Sequence, residues 1–97
     1  MVGKVLLKAK SALTRDELAD LLIGLADKIQ NGRVTLSDGA NTVDMQLPES
    51  LKVDIEVEDD VKPARIKRQL EIEIEWRVDE AGQPALDQGG SAGLTIS

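Results

Sequence analysis

The chain has 97 residues, with 18 Asp and Glu against 12 Lys and Arg for a net charge of −6, and it contains no Cys and no His. That length fits one domain, and the missing Cys and His exclude disulfides, thiol chemistry and zinc sites. The acidic balance, with no Lys and Arg cluster to neutralise phosphates, argues against a nucleic-acid partner. Hydrophobic residues make up 41% of the chain, which suits a folded protein better than a disordered one. No run of about 18 apolar residues is present to span a membrane. The opening MVGKVLLKAK lacks the apolar core, about 7–15 residues long, of a secretory signal. The expected compartment is therefore a reducing cytoplasm.

Val5, Leu7 and Ala9 alternate with Lys4, Leu6, Lys8 and Lys10, which predicts a first strand with Leu6 on the wrong face. In LTRDEL, residues 13–18, Thr14 followed by Glu17 is a capping box, and Leu13 and Leu18 are spaced for a hydrophobic staple. Leu18, Leu21, Leu22, Leu25 and Ile29 then recur on one helical stripe, with Ala26 beside it. Ile23 falls off the stripe, and Gly24 weakens the middle by roughly 1 kcal/mol relative to Ala. Gly32 after Asn31 is the natural left-handed stop, so the helix is predicted over residues 15–31.

Beyond it the period changes to two. Val34 and Leu36 alternate with Arg33, Thr35 and Ser37, Asp38-Gly39 marks a turn, and Val43, Met45 and Leu47 alternate with Thr42, Asp44 and Gln46. Apolar positions are even before the turn and odd after it. A loop of two or four residues keeps both sets on one face, whereas three would need a bulge. Pro48 ends that strand. Leu51, Val53, Ile55 and Val57 alternate with Lys52, Asp54, Glu56 and Glu58, residues 59–65 (DDVKPAR) read as a connector, and a last strand is predicted from about Lys67 to Val78. The cationic residues Lys62, Arg65, Lys67 and Arg68 have no aromatic platform and read as a solvated turn.

The order β-α-β-β-β-β predicts an α+β fold, with one helix in the N-terminal half packed on one face of an antiparallel, roughly five-stranded sheet and the other face wet. About twenty aliphatic side chains and Trp76 would make the core, each worth roughly 1.5–3 kcal/mol on burial. One helix is narrow for five strands, and any apolar strip it leaves needs a partner. Residues 1–78 form the expected single domain and 79–97 a flexible tail, with LTIS at its end not counted as a strand.

The capped helix TRDELADLLIGLADKIQNG, then VTLSDG, then amphipathic strands closing on LEIEIEW resemble the amphi-Trp domain family. These are small prokaryotic proteins named for an amphipathic strand pattern ending in Trp. The resemblance spans roughly residues 4–78 and places the naming residue at Trp76. It carries no catalytic set and no cofactor onto this chain.

Trp76 is the single aromatic residue. It reads either as a binding anchor or as a core side chain plugging one end of the sheet, and its parity with Leu70, Ile72 and Ile74 favours the core. The second candidate is an acidic surface of Asp54, Glu56, Glu71, Glu73 and Glu75, with Glu58 on the same face. It reads either as a Ca²⁺ site or as a solvated face balanced by Lys8, Lys10 and Arg33. Parallel carboxylates on a flat strand do not converge as six to eight Ca²⁺ ligands must, which favours the solvated face. Charge alone favours a register with Glu58 opposite Lys67 and Lys52 opposite Glu73 over one with Glu56 opposite Glu71.

No nucleophile–base pair stands out. Ser11, Thr14 and Ser37 sit at turns or caps, and SDG, residues 37–39, precedes a strand rather than the helix a phosphate loop needs. The expectation is a non-enzymatic interaction module without cofactor or metal. It would pair with itself or a protein partner through a sheet edge or an uncovered apolar strip.

Overall fold

The computed structural model describes residues 3–85. These fold as α1 (Arg15–Asn31), β1 (Arg33–Ser37), β2 (Thr42–Gln46), β3 (Lys52–Lys62) and β4 (Arg65–Glu75). The helix starts and stops where its caps predict. Thr14 Oγ1 accepts the Glu17 N–H at 3.1 Å and Glu17 Oε1 accepts the Thr14 N–H at 3.0 Å, which holds the Glu17 carboxyl below the usual carboxylate range. Gly32 turns the chain with φ 83°, and its N–H donates to the Ile29 carbonyl at 3.0 Å. A side chain there would strain the left-handed backbone.

β1 and β2 pair antiparallel from Arg33↔Gln46 to Ser37↔Thr42. The loop is residues 38–41, four in number, as parity allowed. Asp38 shapes it, its Oδ1 accepting the N–H groups of Ala40 at 2.9 Å and Asn41 at 2.7 Å. Gly39 supplies the one positive φ, 95°. The rungs Val34↔Met45 and Leu36↔Val43 thus share a face, and α1 packs on β1. Val34, 4% exposed, is the one buried side chain among the described residues. Leu25 and Ile29, at the C-terminal end of the helical stripe, are half-buried. Leu18, Leu21 and Leu22 remain 45%, 59% and 45% exposed.

The sequence expectation fails in four places. Residues 4–10 form no strand. Val5 and Leu6 stand 76% and 60% exposed, and with aliphatics on both faces no register is favoured over its one-residue slip. The remaining strands make two separate two-stranded sheets, β1-β2 and β3-β4, rather than one five-stranded sheet. The connector read over residues 59–65 shrinks to Pro63-Ala64, because β3 runs on to Lys62 and β4 starts at Arg65. Pro63 presets the turn's φ and has no N–H to lose from a ladder.

The fourth failure is the core. Among the described residues α1 touches no strand but β1, and the β3–β4 hairpin touches neither α1 nor the first hairpin. Leu70 and Ile72, expected inside, are 64% and 53% exposed. The chain exposes 9137 Å² against about 5,400 Å² for a compact protein of 10.5 kDa. Its radius of gyration is 15.9 Å, where a compact chain of this length has about 12–13 Å.

After β4, Val78 bridges Pro84. Asp79 organises the turn between them, its Oδ1 accepting the N–H groups of Ala81 at 2.9 Å and Gln83 at 3.0 Å. The rest of the expected tail, residues 86–97 with LTIS, lies outside the described residues.

Candidate interaction surface

The β3–β4 hairpin is the longest ladder among the described residues, eleven residues on each strand. Its alternation separates two faces. One carries the rungs Val53↔Ile74, Ile55↔Ile72, Val57↔Leu70, Asp59↔Arg68 and Val61↔Ile66. Seven of its aliphatic side chains are 39–70% exposed: Val53, Ile55, Val57, Val61, Ile66, Leu70 and Ile72. Together they form a patch of roughly several hundred Å², the size at which exposed apolar surface marks an interaction site.

One rung of that face is ionic. Arg68 donates from Nε to Asp59 Oδ1 at 2.7 Å and from Nη2 to Oδ2 at 2.9 Å. The guanidinium holds the Asp59 carboxyl below its ordinary range, and the carboxylate raises Arg68 in turn. Sequence reading missed this pair because Asp59 fell in the supposed connector and Arg68 in the cationic run read as a solvated turn. The available signal was parity: Asp59 is odd like Val57 and Val61, and Arg68 is even like Ile66 and Leu70.

The opposite face carries Lys52↔Glu75, Asp54↔Glu73, Glu56↔Glu71, Glu58↔Gln69, Asp60↔Lys67 and Lys62↔Arg65. This is the register that charge alone disfavoured. It wins because it sets each aliphatic rung against another and matches Asp59 to Arg68. The alternative register would place Arg68 opposite Val57. Apolar pairing, and a turn with Pro63 in its favoured first central position, outweigh like charges on an exposed face, where water screens them.

The structure brings three of the candidate acids together. Asp54, Glu73 and Glu75 have carboxylate oxygens within 4.8 Å of one another, all exposed. Hydrogen bonding to Glu75 and repulsion from it push the Glu73 carboxyl up, and Asp54 adds to the repulsion. Lys52 Nζ lies 3.2 Å from Glu75 Oε1 and offsets part of that charge. Glu56 and Glu71 face each other on the adjacent like-charged rung, and Gln69 Nε2 donates to Glu71 at 2.9 Å. The cations expected to balance this face do not reach it. Arg33 is engaged in a two-bond pair with Asp44, which also accepts from Thr35 Oγ1 at 2.9 Å. Neither Lys8 nor Lys10 has a carboxylate within 4.0 Å among the described residues.

Trp76 stands just past the end of β4 and is half-buried, so it does not plug a closed core. An open crevice separates Ala9, Lys10, Ser11 and Ala12 from Gln69 and Leu70.

No curated protein and no solved structure matched the chain. A family model described as the Amphi-Trp domain matches residues 1–97, so the match includes residues 79–97, which the resemblance read from the sequence left out. With apolar rungs on one face, acids on the other and Trp76 at the end of β4, the chain belongs to the Amphi-Trp domain family.

Proposed function

We propose that this protein is a small, non-enzymatic, self-associating interaction module of the cytoplasm, with neither nucleic acid nor membrane as partner. Its working surface is the apolar face of β3–β4 together with the adjoining sheet edge. The observation that carries this reading is that, Val34 apart, the aliphatic side chains the sequence marks as core are left half-buried or exposed, those of β3–β4 exposed with the exception of Ile74. Val34 alone among the described residues is buried. The exposed area exceeds that of a compact protein of equal mass by roughly 3,700 Å². A stable homodimer removes about 1,000–2,500 Å² from each chain, well within that excess. The exposed leucines of α1 are a second apolar surface of the same kind.

Molar mass by light scattering during size exclusion, at two loadings, tests the reading. The expected result is a mass of at least twice 10.5 kDa at the higher loading. A constant monomer mass at both would remove self-association.

A second reading, divalent-cation binding, is favoured by the approach of Asp54, Glu73 and Glu75. Against it stands Lys52, whose ammonium already lies at Glu75. Calorimetric titration with Ca²⁺ and Mg²⁺ decides. Heat at millimolar metal that disappears in Asp54→Asn supports it, and no heat removes it.

A further inference from the structure

Among the described residues β4 pairs with β3 alone, and its other edge has a charge order that suits it to a second copy of itself. Arg65, Lys67 and Arg68 lie in its first half and Glu71, Glu73 and Glu75 in its second. Among the described residues Arg65 and Lys67 have no carboxylate within 4.0 Å, while the acids at the other end crowd one another. β3 has no such polarity. Asp54, Glu56, Glu58, Asp59 and Asp60 run through its centre, with Lys52 and Lys62 at its ends. Two copies of β3 laid antiparallel would set acid against acid and lysine against lysine, and like charges directly opposite are destabilising.

Backbone geometry decides which groups the β4 edge offers. The two-residue turn closes Lys62 and Arg65 as a hydrogen-bonded pair. By the alternation of an antiparallel ladder, odd residues of β4 bond to β3. The even residues Ile66, Arg68, Leu70, Ile72 and Ile74 turn their N–H and C=O groups outward. This row is open to another strand.

Resting on the self-association reading above, we infer that this edge pairs antiparallel with the β4 edge of a second copy, about a two-fold axis through Leu70. This register uses all eleven residues of the strand. It sets Arg65 opposite Glu75, Lys67 opposite Glu73 and Gln69 opposite Glu71, each twice by symmetry. The outward-facing rows bond as Ile66 with Ile74, Arg68 with Ile72 and Leu70 with Leu70 of the second copy. The charged rungs then fall on the non-hydrogen-bonded positions, where side chains approach more closely. Shifting the axis to Glu71 would place Glu71 against itself.

The pairing also joins two apolar faces into one. Four strands about 4.8 Å apart make a face about as wide as two helices of about 10 Å, and a dimer supplies two α1 helices. The other occupant to consider is the chain's own segment 4–10, near the crevice beside Gln69 and Leu70. It is shorter than the edge, has Lys4, Lys8 and Lys10 with no acid to alternate with them, and makes no ladder with β4.

Charge exchange tests the seam. Dimer dissociation constants are measured by light scattering and sedimentation for the wild type, Lys67→Glu, Glu73→Lys and the double variant. Each single variant should weaken the dimer about tenfold or more, since each sets like charges opposite at two symmetric rungs. The double variant, with the charges exchanged, should return to within about threefold of the wild type. Helix circular dichroism confirms that each variant is folded. Hydrogen exchange on the wild type adds a readout independent of substitution: the outward amides of Ile66, Leu70 and Ile72 should become protected only on assembly.

An assembled wild type indifferent to both single changes overturns the β4 seam and leaves self-association standing. So does a double variant that is not restored. Protection of those amides in the diluted monomer would assign the edge to residues 4–10 and likewise overturn the seam. A wild type monomeric at all concentrations removes the self-association reading and the seam with it.

Discussion

Ile72→Asp is expected to dissociate the assembly while leaving the isolated chain almost unchanged. Ile72 lies mid-ladder opposite Ile55 and is 53% exposed in the single chain. A carboxylate there meets water in the monomer, so its effect on monomer stability should stay within about 1 kcal/mol. In an assembly that covers this face, the change removes a burial worth about 1.5–3 kcal/mol and sets a charge among apolar side chains, which Arg68 of the second copy, already held by its own Asp59, offsets only in part. A symmetric dimer suffers this twice. The dissociation constant should therefore rise at least about 100-fold, as read by light scattering across a dilution series. An unchanged mass would mean that the face stays wet in the assembled protein.

Val34→Ala should have the largest effect on the chain's own fold. Val34 is the buried side chain on which α1, β1 and β2 converge, paired to Met45 across the ladder. Removing two carbons there loses about 1.6 kcal/mol of transfer free energy, and the cavity left behind brings the total to about 2–2.5 kcal/mol. Among the described elements α1 packs on β1 alone, so helical signal should be lost in step with the hairpin. The midpoint of urea unfolding followed by circular dichroism checks this. Ile23→Ala is the natural comparison. That side chain is 68% exposed and off the helical stripe, so its shift should stay within about 0.5 kcal/mol.

Much of this architecture was legible because it is local. The capping box at Thr14 and Glu17 and the glycine at 32 set the helix ends through bonds spanning three or four residues. The four-residue loop after Ser37 followed from the parity of Val34, Leu36, Val43 and Met45. The β3–β4 pairing was harder, since two opposing signals had to be ranked. Exposed charges point to the slipped register, whereas the apolar rungs and the turn at Pro63-Ala64 decide it. The supposed connector also hid Asp59, and the reading of the cationic run as a solvated turn hid Arg68, although their parity placed them on the apolar face.

The misplaced part was the closing of those elements into one core. Alternation shows which side of a strand is apolar but says nothing of what covers it. A helix stripe with its N-terminal leucines exposed and a hairpin with a bare apolar face read the same in sequence whether the cover comes from the same chain or from another. The acidic surface illustrates the same limit. Parity places its members on one face of each strand, yet only the register could show that Asp54, Glu73 and Glu75 converge while Glu56 and Glu71 sit one rung away. The ion pair at Asp59 and Arg68 bears on assembly too. On a covered face it would lose water, and such pairs serve best to fix register, because a misaligned partner leaves a charge buried without its mate.

The measurement closest to the central claim is an isotope-filtered NMR experiment on a mixture of labelled and unlabelled chains, observing the methyl groups of Ile55, Leu70 and Ile72. Through-space contacts from these methyls to the unlabelled chain are the expected result, with Leu70 nearest the two-fold axis. If every contact of these methyls lies within one chain, for instance to its own Leu18, Leu21 and Leu22, then the hairpin folds back on its own helix and the account of a self-covering assembly is wrong.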